Sequence, residues 1–239
     1  MRFVTNALVI RHADYGDYDR MVTLITPGSG RIDAVARGCR RLKSPIVNAS
    51  ELFTSGEFTL YQRGGRYSIE QCQISDSFFD LRSDYDRLTH GVYWLRLLDA
   101  FVQPDMPCED VFLMALKALA YLNYSDLPAP LLTLAFEAHL RALEGYPPRV
   151  DACVKCGSPL EGEAHFDPVR GGATCVACEP TAKAITYGAR RILYRLPQTR
   201  FDAVEKLNGH ENWPEAAILF RSYIRHRASL PDKFYPPLP

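Results

Sequence analysis

Four cysteines in the C-terminal half constrain this chain more than any other feature of its sequence. Cys153 and Cys156 form one Cys-x-x-Cys pair, and after eighteen residues Cys175 and Cys178 form a second. Each pair closes a tight turn that directs two thiolates toward one point, and two such pairs at this spacing are typical of a tetrahedral zinc site. The spacing therefore predicts a small metal-stabilised module, resembling a zinc ribbon, within residues 151–180.

A zinc ion bound by all four cysteines would be structural, because four thiolates fill a tetrahedral shell and leave no position for water or substrate. We predict one such Zn²⁺ per chain. Two disulfides or four unrelated thiols are the alternative interpretations, and His165, which lies between the two pairs, is an alternative ligand. A zinc deaminase would need a His-x-Glu motif before a Pro-Cys-x-x-Cys motif, and the sequence has neither.

Length and composition are those of an ordinary globular protein. The 239 residues are 47% hydrophobic and 23% charged with zero net charge, which is enough chain for one large or two small domains. The longest apolar run, Val111–Leu122, is twelve residues long and contains Lys117, so it is too short and too charged to cross a membrane. We expect no signal peptide. Four of the seven cysteines have the spacing of a zinc site rather than of a disulfide framework, which predicts that the protein resides in a reducing cytoplasm.

The first third of the chain has the two-residue periodicity and the turn residues of β-structure. In the last candidate strand the apolar phase slips between Ile69 and Cys72, which predicts a bulge. Five short strands suit a small closed barrel such as an OB-fold, with an SH3-like barrel as the alternative, because strand count does not separate the two. The candidate strands are Phe3–His12, Met21–Thr26, Arg31–Arg37, Leu52–Tyr61 and Tyr67–Ile74.

Beyond Phe79 the apolar residues recur every three or four positions, which predicts helices. We expect a capping box at Asn212 and Glu215 and a loose C-terminal tail. The fold class is therefore α+β, with a five-stranded OB-fold β-barrel at 1–80 followed by an all-helical domain at 81–239 that carries the small four-cysteine zinc module. The candidate helices are Tyr85–Val102, Val111–Leu122, Leu131–Leu143, Tyr187–Leu196 and Asn212–Ala228.

Positive charge concentrates in and after the third candidate strand. The segment Gly38–Pro45 has the composition of a loop with little apolar content. A basic loop of this kind beside a barrel is typical of a surface that binds the phosphates of nucleic acid. A solvated surface loop is the alternative. We predict a DNA-binding set that also includes two arginines at the glycine turn before the fifth strand: Arg31, Arg37, Arg40, Arg41, Lys43, Arg63 and Arg66.

A second basic cluster follows the cysteines, on the candidate helix Tyr187–Leu196. Arg190, Arg191 and Arg195 lie there, and the last two share a face by their i, i+4 spacing. This face would contact DNA or an acidic protein partner; a solvated helix face is the alternative.

No pattern in the sequence supports enzyme chemistry. It contains no Gly-x-Ser-x-Gly, no Walker loop and no Gly-x-Gly-x-x-Gly, and the histidines show no ligand spacing. We therefore predict no catalytic residues.

One stretch of the barrel region resembles a known family. Asp14–Thr26, D-Y-G-D-Y-D-R-M-V-T-L-I-T, resembles the bacterial RecO family of DNA repair and recombination mediators. The resemblance continues through Gly30–Ser44, G-R-I-D-A-V-A-R-G-C-R-R-L-K-S, and returns at Gly145-Tyr146-Pro147 and the four cysteines. It follows the order of elements over essentially the whole chain. Asp17 replaces the more usual Glu, and Cys39 replaces a small residue.

The resemblance implies an OB-fold, a helical C-terminal domain and a zinc module within it. It implies binding of single- and double-stranded DNA, annealing of complementary strands and, with RecR, loading of RecA onto DNA coated by single-stranded-DNA-binding protein. Further partners would be the acidic C-terminal tail of that coating protein and RecF, and the location would be cytoplasmic and nucleoid-associated. A DNA-processing enzyme and a general zinc-ribbon nucleic-acid adaptor are the alternative functions.

Overall fold

Five strands in the first third of the chain close into a barrel. In this computed structural model, which describes residues 1–180 and 184–239, their order around the barrel is β1-β2-β3-β5-β4. β3 and β5 are parallel, and the other neighbours, including β1 with β4, are antiparallel. This is the closed five-stranded architecture of an OB-fold, so the predicted fold class is confirmed. The strands are β1 (Arg2–Tyr15), β2 (Asp19–Thr26), β3 (Gly30–Ala36), β4 (Ser55–Arg63) and β5 (Arg66–Asp76).

Apolar side chains at alternate positions of the strands fill the interior of the barrel. Val22 faces Ala34, and Leu24 faces Ile32, across the β2–β3 ladder, and all four side chains are buried in the barrel core. The predicted bulge is confirmed, because the β4–β5 ladder shifts register and leaves Glu70 as an extra residue on β5.

The first two helices belong to the same compact unit as the barrel, since the chain divides into one unit of Met1–Asn123 and a second of Tyr124–Pro239. In the first unit the β2–β3 turn lies against the connection between α1 (Tyr85–Phe101) and α2 (Glu109–Tyr124). Gly30 has φ +61°, and a Cβ there would lie 2.2 Å from the Gln103 carbonyl oxygen, so only glycine fits this contact. The predicted domain boundary at residue 80 stays a prediction.

The second unit is built around α3 (Ala129–Leu143), which is buried along most of its length and packs on α5 (Trp213–Arg225). Phe136 and Phe220 are fully buried in this core. Every helix in the described ranges falls short of the length and apolar character that a membrane span requires. The elements of this unit are α3 (Ala129–Leu143), the small sheet of β6 (Ala164–Asp167), β7 (Gly172–Cys175) and β8 (Ala184–Ile185), α4 (Tyr187–Arg195) and α5 (Trp213–Arg225).

The C-terminal tail is not loose, and that expectation is wrong. The buried guanidinium of Arg221 donates to the Pro236 carbonyl oxygen at 3.0 Å and to the Glu137 carboxylate at 2.7 Å. Arg225, one turn further along α5, lies 4.4 Å from the centroid of the Tyr235 ring. Two arginines of α5 therefore hold the tail against the helix.

The predicted capping box is also wrong. Asn212 makes no side-chain cap for α5. Instead, the Glu215 carboxylate accepts a hydrogen bond from the backbone N–H of Thr186 at 3.2 Å, and Thr186 is the N-cap of α4. The Glu215 carboxylate therefore joins α5 to the start of α4.

Candidate metal centre and nucleic-acid interface

The four predicted ligand cysteines converge on one point. The Sγ atoms of Cys153, Cys156, Cys175 and Cys178 all lie within 4.8 Å of one another. The Cys156 and Cys175 sulfurs are 3.8 Å apart. This matches the edge of about 3.8 Å expected for a tetrahedron with bonds of about 2.3 Å and is far longer than a disulfide bond of about 2.05 Å. All four are free thiols, so the set can bind a metal ion.

Short backbone turns place these sulfurs. The Gly157 N–H donates to the Cys153 carbonyl at 2.8 Å, and Gly157 has φ +78°, a conformation that glycine adopts without strain. The second pair begins at the end of β7, where the Cys178 N–H donates to the Cys175 carbonyl at 3.0 Å. Ala164 on β6 pairs with Cys175, so the small sheet holds the second turn.

The electrostatics of the cluster favour a bound cation. Burial disfavours the Cys153 thiolate, but backbone N–H groups, including those of Cys156 and Cys175, outweigh it and lower the pKa of Cys153 to about 6. Hydrogen bonds to Cys175 and Cys156 raise the pKa of Cys178 to about 12. The first thiol therefore ionises readily and the last resists, because hydrogen bonds to the neighbouring sulfurs hold its proton and the Cys153 thiolate repels a second negative charge. A divalent cation replaces that repulsion with coordination.

The other cysteines are separate from this centre. Cys39 is buried in the barrel. Burial raises the pKa of Cys72 to about 11 and also raises the pKa of Cys108. His165 is buried on β6 and lies outside the cluster of four cysteines. Four cysteines complete the candidate site, so it does not need His165 as a ligand in place of a cysteine.

The loop after β3, residues 37–43, is called the basic loop here. It is fixed to the β1–β2 turn through its backbone. The Gly38 N–H donates to the Asp19 carboxylate at 2.7 Å, and the Arg40 N–H donates to the Tyr18 carbonyl at 3.0 Å. The turn of the first hairpin thus determines where these charges lie.

The basic side chains of this loop point to solvent. Arg37, Arg40, Arg41 and Lys43 are all exposed. The Arg40 guanidinium lies 3.2 Å from the Asp14 carboxylate, and Arg41 lies 5.2 Å from the centroid of the Tyr18 ring. These exposed contacts are weak, so the side chains remain available to a phosphate backbone.

Comparison with known proteins assigns the chain to a family. A family model described as recombination protein O, N terminal, matches residues 1–78, and one described as recombination protein O, C terminal, matches residues 82–233. The chain belongs to the RecO family.

Similar proteins called DNA repair protein RecO support this assignment. The one from Roseiflexus sp. is 33% identical over 227 residues, which is 93% of this chain and 80% of the relative. The one from Acetivibrio thermocellus is 30% identical over 192 residues, 79% of this chain and 76% of the relative. The one from Anaeromyxobacter sp. strain K is 34% identical over 184 residues, 75% of this chain and 71% of the relative.

The remaining arginines of the predicted DNA-binding set have different surroundings in this RecO chain. Arg31 is half-buried and pairs with the Asp99 carboxylate of α1 at 3.2 Å. Arg63 and Arg66 are exposed and face each other across the β4–β5 turn. The parallel pairing of β5 with β3 begins at Ala34, so Arg66 lies beside the middle of β3 rather than at the basic loop. Their contacts with DNA stay predictions.

The three arginines of α4 do not form one surface in this RecO chain. Arg190 is only 7% exposed, and its guanidinium donates to the Gly162 carbonyl of the cysteine module at 3.0 Å. Arg191 and Arg195 are exposed. Two exposed tyrosines of the same helix, Tyr187 and Tyr194, accompany them and were not predicted as site residues. Tyr187, Arg191 and Tyr194 lie at positions i, i+4 and i+7 of the helix, and this spacing is the signal in the sequence that places them on one face.

Proposed function

We propose that this protein is a non-enzymatic recombination mediator in DNA repair of the RecF-pathway type. It binds single- and double-stranded DNA, anneals complementary strands and, with RecR, helps to load RecA onto DNA coated by single-stranded-DNA-binding protein. The observation that carries the proposal is the exposed basic loop fixed on a closed barrel in a chain of the RecO family. The acidic tail of the coating protein and RecF are further proposed partners, and the proposed location is cytoplasmic and nucleoid-associated.

The test of this function is annealing of complementary oligonucleotides without nucleotide or divalent cation, together with capture of purified RecR. Annealing that required a divalent cation and produced cleaved strands would favour a DNA-processing enzyme. Annealing without RecR binding would favour a general nucleic-acid adaptor.

The basic loop gives a quantitative prediction. Phosphate contacts release condensed counterions, so affinity falls with salt at a slope set by their number. Replacing Arg40, Arg41 and Lys43 together by alanine should flatten the slope of log affinity against log salt by about two units on single-stranded DNA, at about 0.7 per lost contact. Fluorescence anisotropy of labelled single-stranded DNA over a salt titration measures this slope.

A matched control removes the same charge elsewhere. Arg149, Arg170 and Arg200 are exposed arginines of the second unit, and each pairs with a neighbouring aspartate. Their triple alanine variant should keep the wild-type slope. If the loop variant also kept that slope, DNA would bind outside the basic loop.

We further propose that the four cysteines bind one structural Zn²⁺. All four positions of its shell would be filled by Cys153, Cys156, Cys175 and Cys178, so the ion would stabilise the module and not activate water. Metal analysis of the purified protein by plasma mass spectrometry should find one zinc per chain. A different metal, or none with intact thiols, would contradict this.

Zinc affinity should fall as the pH falls. Each thiol must lose its proton to bind the ion, and acid therefore competes with metal. Cys178, whose pKa is raised to about 12, holds its proton far more strongly than Cys153, whose pKa is lowered to about 6. Competition with a chromophoric chelator between pH 6 and 8 measures the effect, and an affinity independent of pH would exclude thiolate ligation.

A further inference from the structure

We propose that α4 carries a second binding surface for single-stranded DNA, in which two tyrosines stack on bases and two arginines contact phosphates. The surface, called the α4 ridge here, consists of Tyr187, Arg191, Tyr194 and Arg195. The sequence left DNA and an acidic protein open as partners of this helix. The inference rests on the proposed function only in taking DNA as the ligand, and its residues are separate from the basic loop.

The ridge is the outward face of a helix whose other face is buried. Tyr187 is 68% exposed and Tyr194 is 48% exposed. Ala189, Ile192 and Leu193 of the same helix are buried. Residues at i, i+4 and i+7 lie on one side of a helix, so Arg191 lies between the two rings. An aromatic residue, a cation and a second aromatic residue thus follow one another along an exposed line.

The spacing of the rings suits a strand of nucleic acid. Seven residues of α-helix advance about 10 Å. That is roughly three nucleotide steps at the spacing of about 3.4 Å per strand found in a duplex. Stacking on a tyrosine tolerates any base, because every base presents a flat π face. The ridge therefore suits a single strand without regard to its sequence.

The helix that carries the ridge is firmly held. Arg190 anchors it to the cysteine module through the Gly162 carbonyl, and its guanidinium lies 5.6 Å from the centroid of the Tyr187 ring. At the start of the helix a Cβ on Gly188 would lie 1.9 Å from the Asn212 side-chain oxygen, so the backbone packs closely there. A rigid aromatic platform loses little conformational entropy when a ligand binds.

Charge around the ridge favours an anion. A cleft of about 690 Å³ runs along one side, and Lys206 lines it together with the two ridge arginines, against the single acid Glu211. A second cleft on the other side contains both ridge arginines and the single acid Asp151. Such a field attracts a polyanion and raises its rate of encounter.

The exposed rings favour DNA over an acidic peptide. Arginines alone satisfy the carboxylates of a peptide, which would leave Tyr187 and Tyr194 without a role. Bases of a single strand use both the rings and the arginines. The acidic peptide is therefore the competing outcome of the test.

The test separates stacking from charge. It uses the full-length protein with alanines at Arg40, Arg41 and Lys43, so that the remaining affinity reports on other sites. Adding Tyr187→Leu and Tyr194→Leu should weaken binding of oligothymidylate at least tenfold at an unchanged salt slope, since no charge is removed. Binding of an abasic strand of equal length should not change, because it has no bases to stack.

Two further variants complete the design. Arg191→Ala with Arg195→Ala should weaken binding of both the oligothymidylate and the abasic strand. It should also flatten the salt slope by about 1.4 units, at about 0.7 per lost contact on a single strand. Tyr85→Leu, at a tyrosine of α1 that is 85% exposed, is the matched control and should have no effect. Circular dichroism and thermal melting confirm that each variant is folded.

The outcomes distinguish this inference from the proposed function. Unchanged oligothymidylate affinity in the double tyrosine variant would overturn the ridge and leave the basic loop untouched. Loss of binding to a synthetic acidic peptide with unchanged DNA affinity would assign the ridge to a protein partner and would likewise overturn it. If the triple alanine variant of the basic loop kept the wild-type salt slope, only the basic loop would be rejected as a DNA-binding site. A loss of oligothymidylate affinity in the double tyrosine variant would still support the α4 ridge.

Discussion

Replacing Cys153 by serine is expected to release the proposed zinc ion and lower the melting temperature by roughly 8 to 16 °C. Cys153 is 1% exposed, and its thiolate cannot be replaced by solvent without opening the module. A ligand present at about 1,000 times its Kd stabilises the folded state by about 4 kcal/mol. Losing that contribution lowers Tm by roughly 8 to 16 °C for a chain of this size. Differential scanning calorimetry with parallel metal analysis measures both effects.

The matched control for this substitution is Cys108→Ser. The Cys108 thiol donates to the Thr26 carbonyl at 3.3 Å, a hydrogen bond that a serine hydroxyl can replace, and it lies outside the metal cluster. The control should keep one metal ion and a melting temperature close to wild type. If Cys153→Ser kept its stability but lost annealing, the metal would act in function rather than in folding.

Replacing Arg221 by methionine is expected to cost about 3–5 kcal/mol in the free energy of unfolding. Arg221 on α5 and Glu137 on α3 are 4% and 1% exposed at their side chains and lie 2.7 Å apart. Methionine replaces the aliphatic part of the side chain but leaves the Glu137 carboxylate buried without that guanidinium. The change also removes the hydrogen bond to the Pro236 carbonyl, which is one of the contacts that hold the tail. Urea unfolding followed by circular dichroism measures the loss.

Two variants show whether the buried charge is the cause. Arg225→Met is the same change one turn further along α5, where Arg225 pairs with the exposed Asp232, and it should cost about 1 kcal/mol or less. Removing both charges with Glu137→Leu and Arg221→Met should recover much of the loss, because a buried ion pair offsets its own desolvation poorly. Equal losses in the single variants at Arg221 and Arg225 would instead assign the effect to the tail.

Local periodicity determined most of what the sequence could predict. The barrel strands were found because their apolar residues alternate, and even the extra residue at Glu70 was visible as a slip in that alternation. The four cysteines were found because their chemistry depends on spacing along the chain, and the structure brings them together. The predicted strand ends were approximate, because hydrogen bonds across the sheet set the true ends: β1 runs on to Tyr15, where it pairs with Asp19.

What could not be predicted depends on contacts between distant residues. Arg190 and Arg191 are adjacent in sequence, yet only the first is buried, because the Gly162 carbonyl of the module accepts its hydrogen bond. Glu215 has the spacing of a capping residue for its own helix, but its carboxylate accepts the N–H of Thr186, 29 residues earlier. Helical spacing assigns such residues to a face but does not show what packs against that face.

The anchoring of the basic loop has a consequence for the thermodynamics of binding. A flexible loop would lose about 1–2 kcal/mol of backbone conformational entropy per residue when a ligand ordered it. Here Gly38 and Arg40 already donate their N–H groups to the first hairpin. The entropy of ordering this part of the backbone is therefore lost once, when the chain folds, and not again at each encounter with the anion that we propose as its ligand.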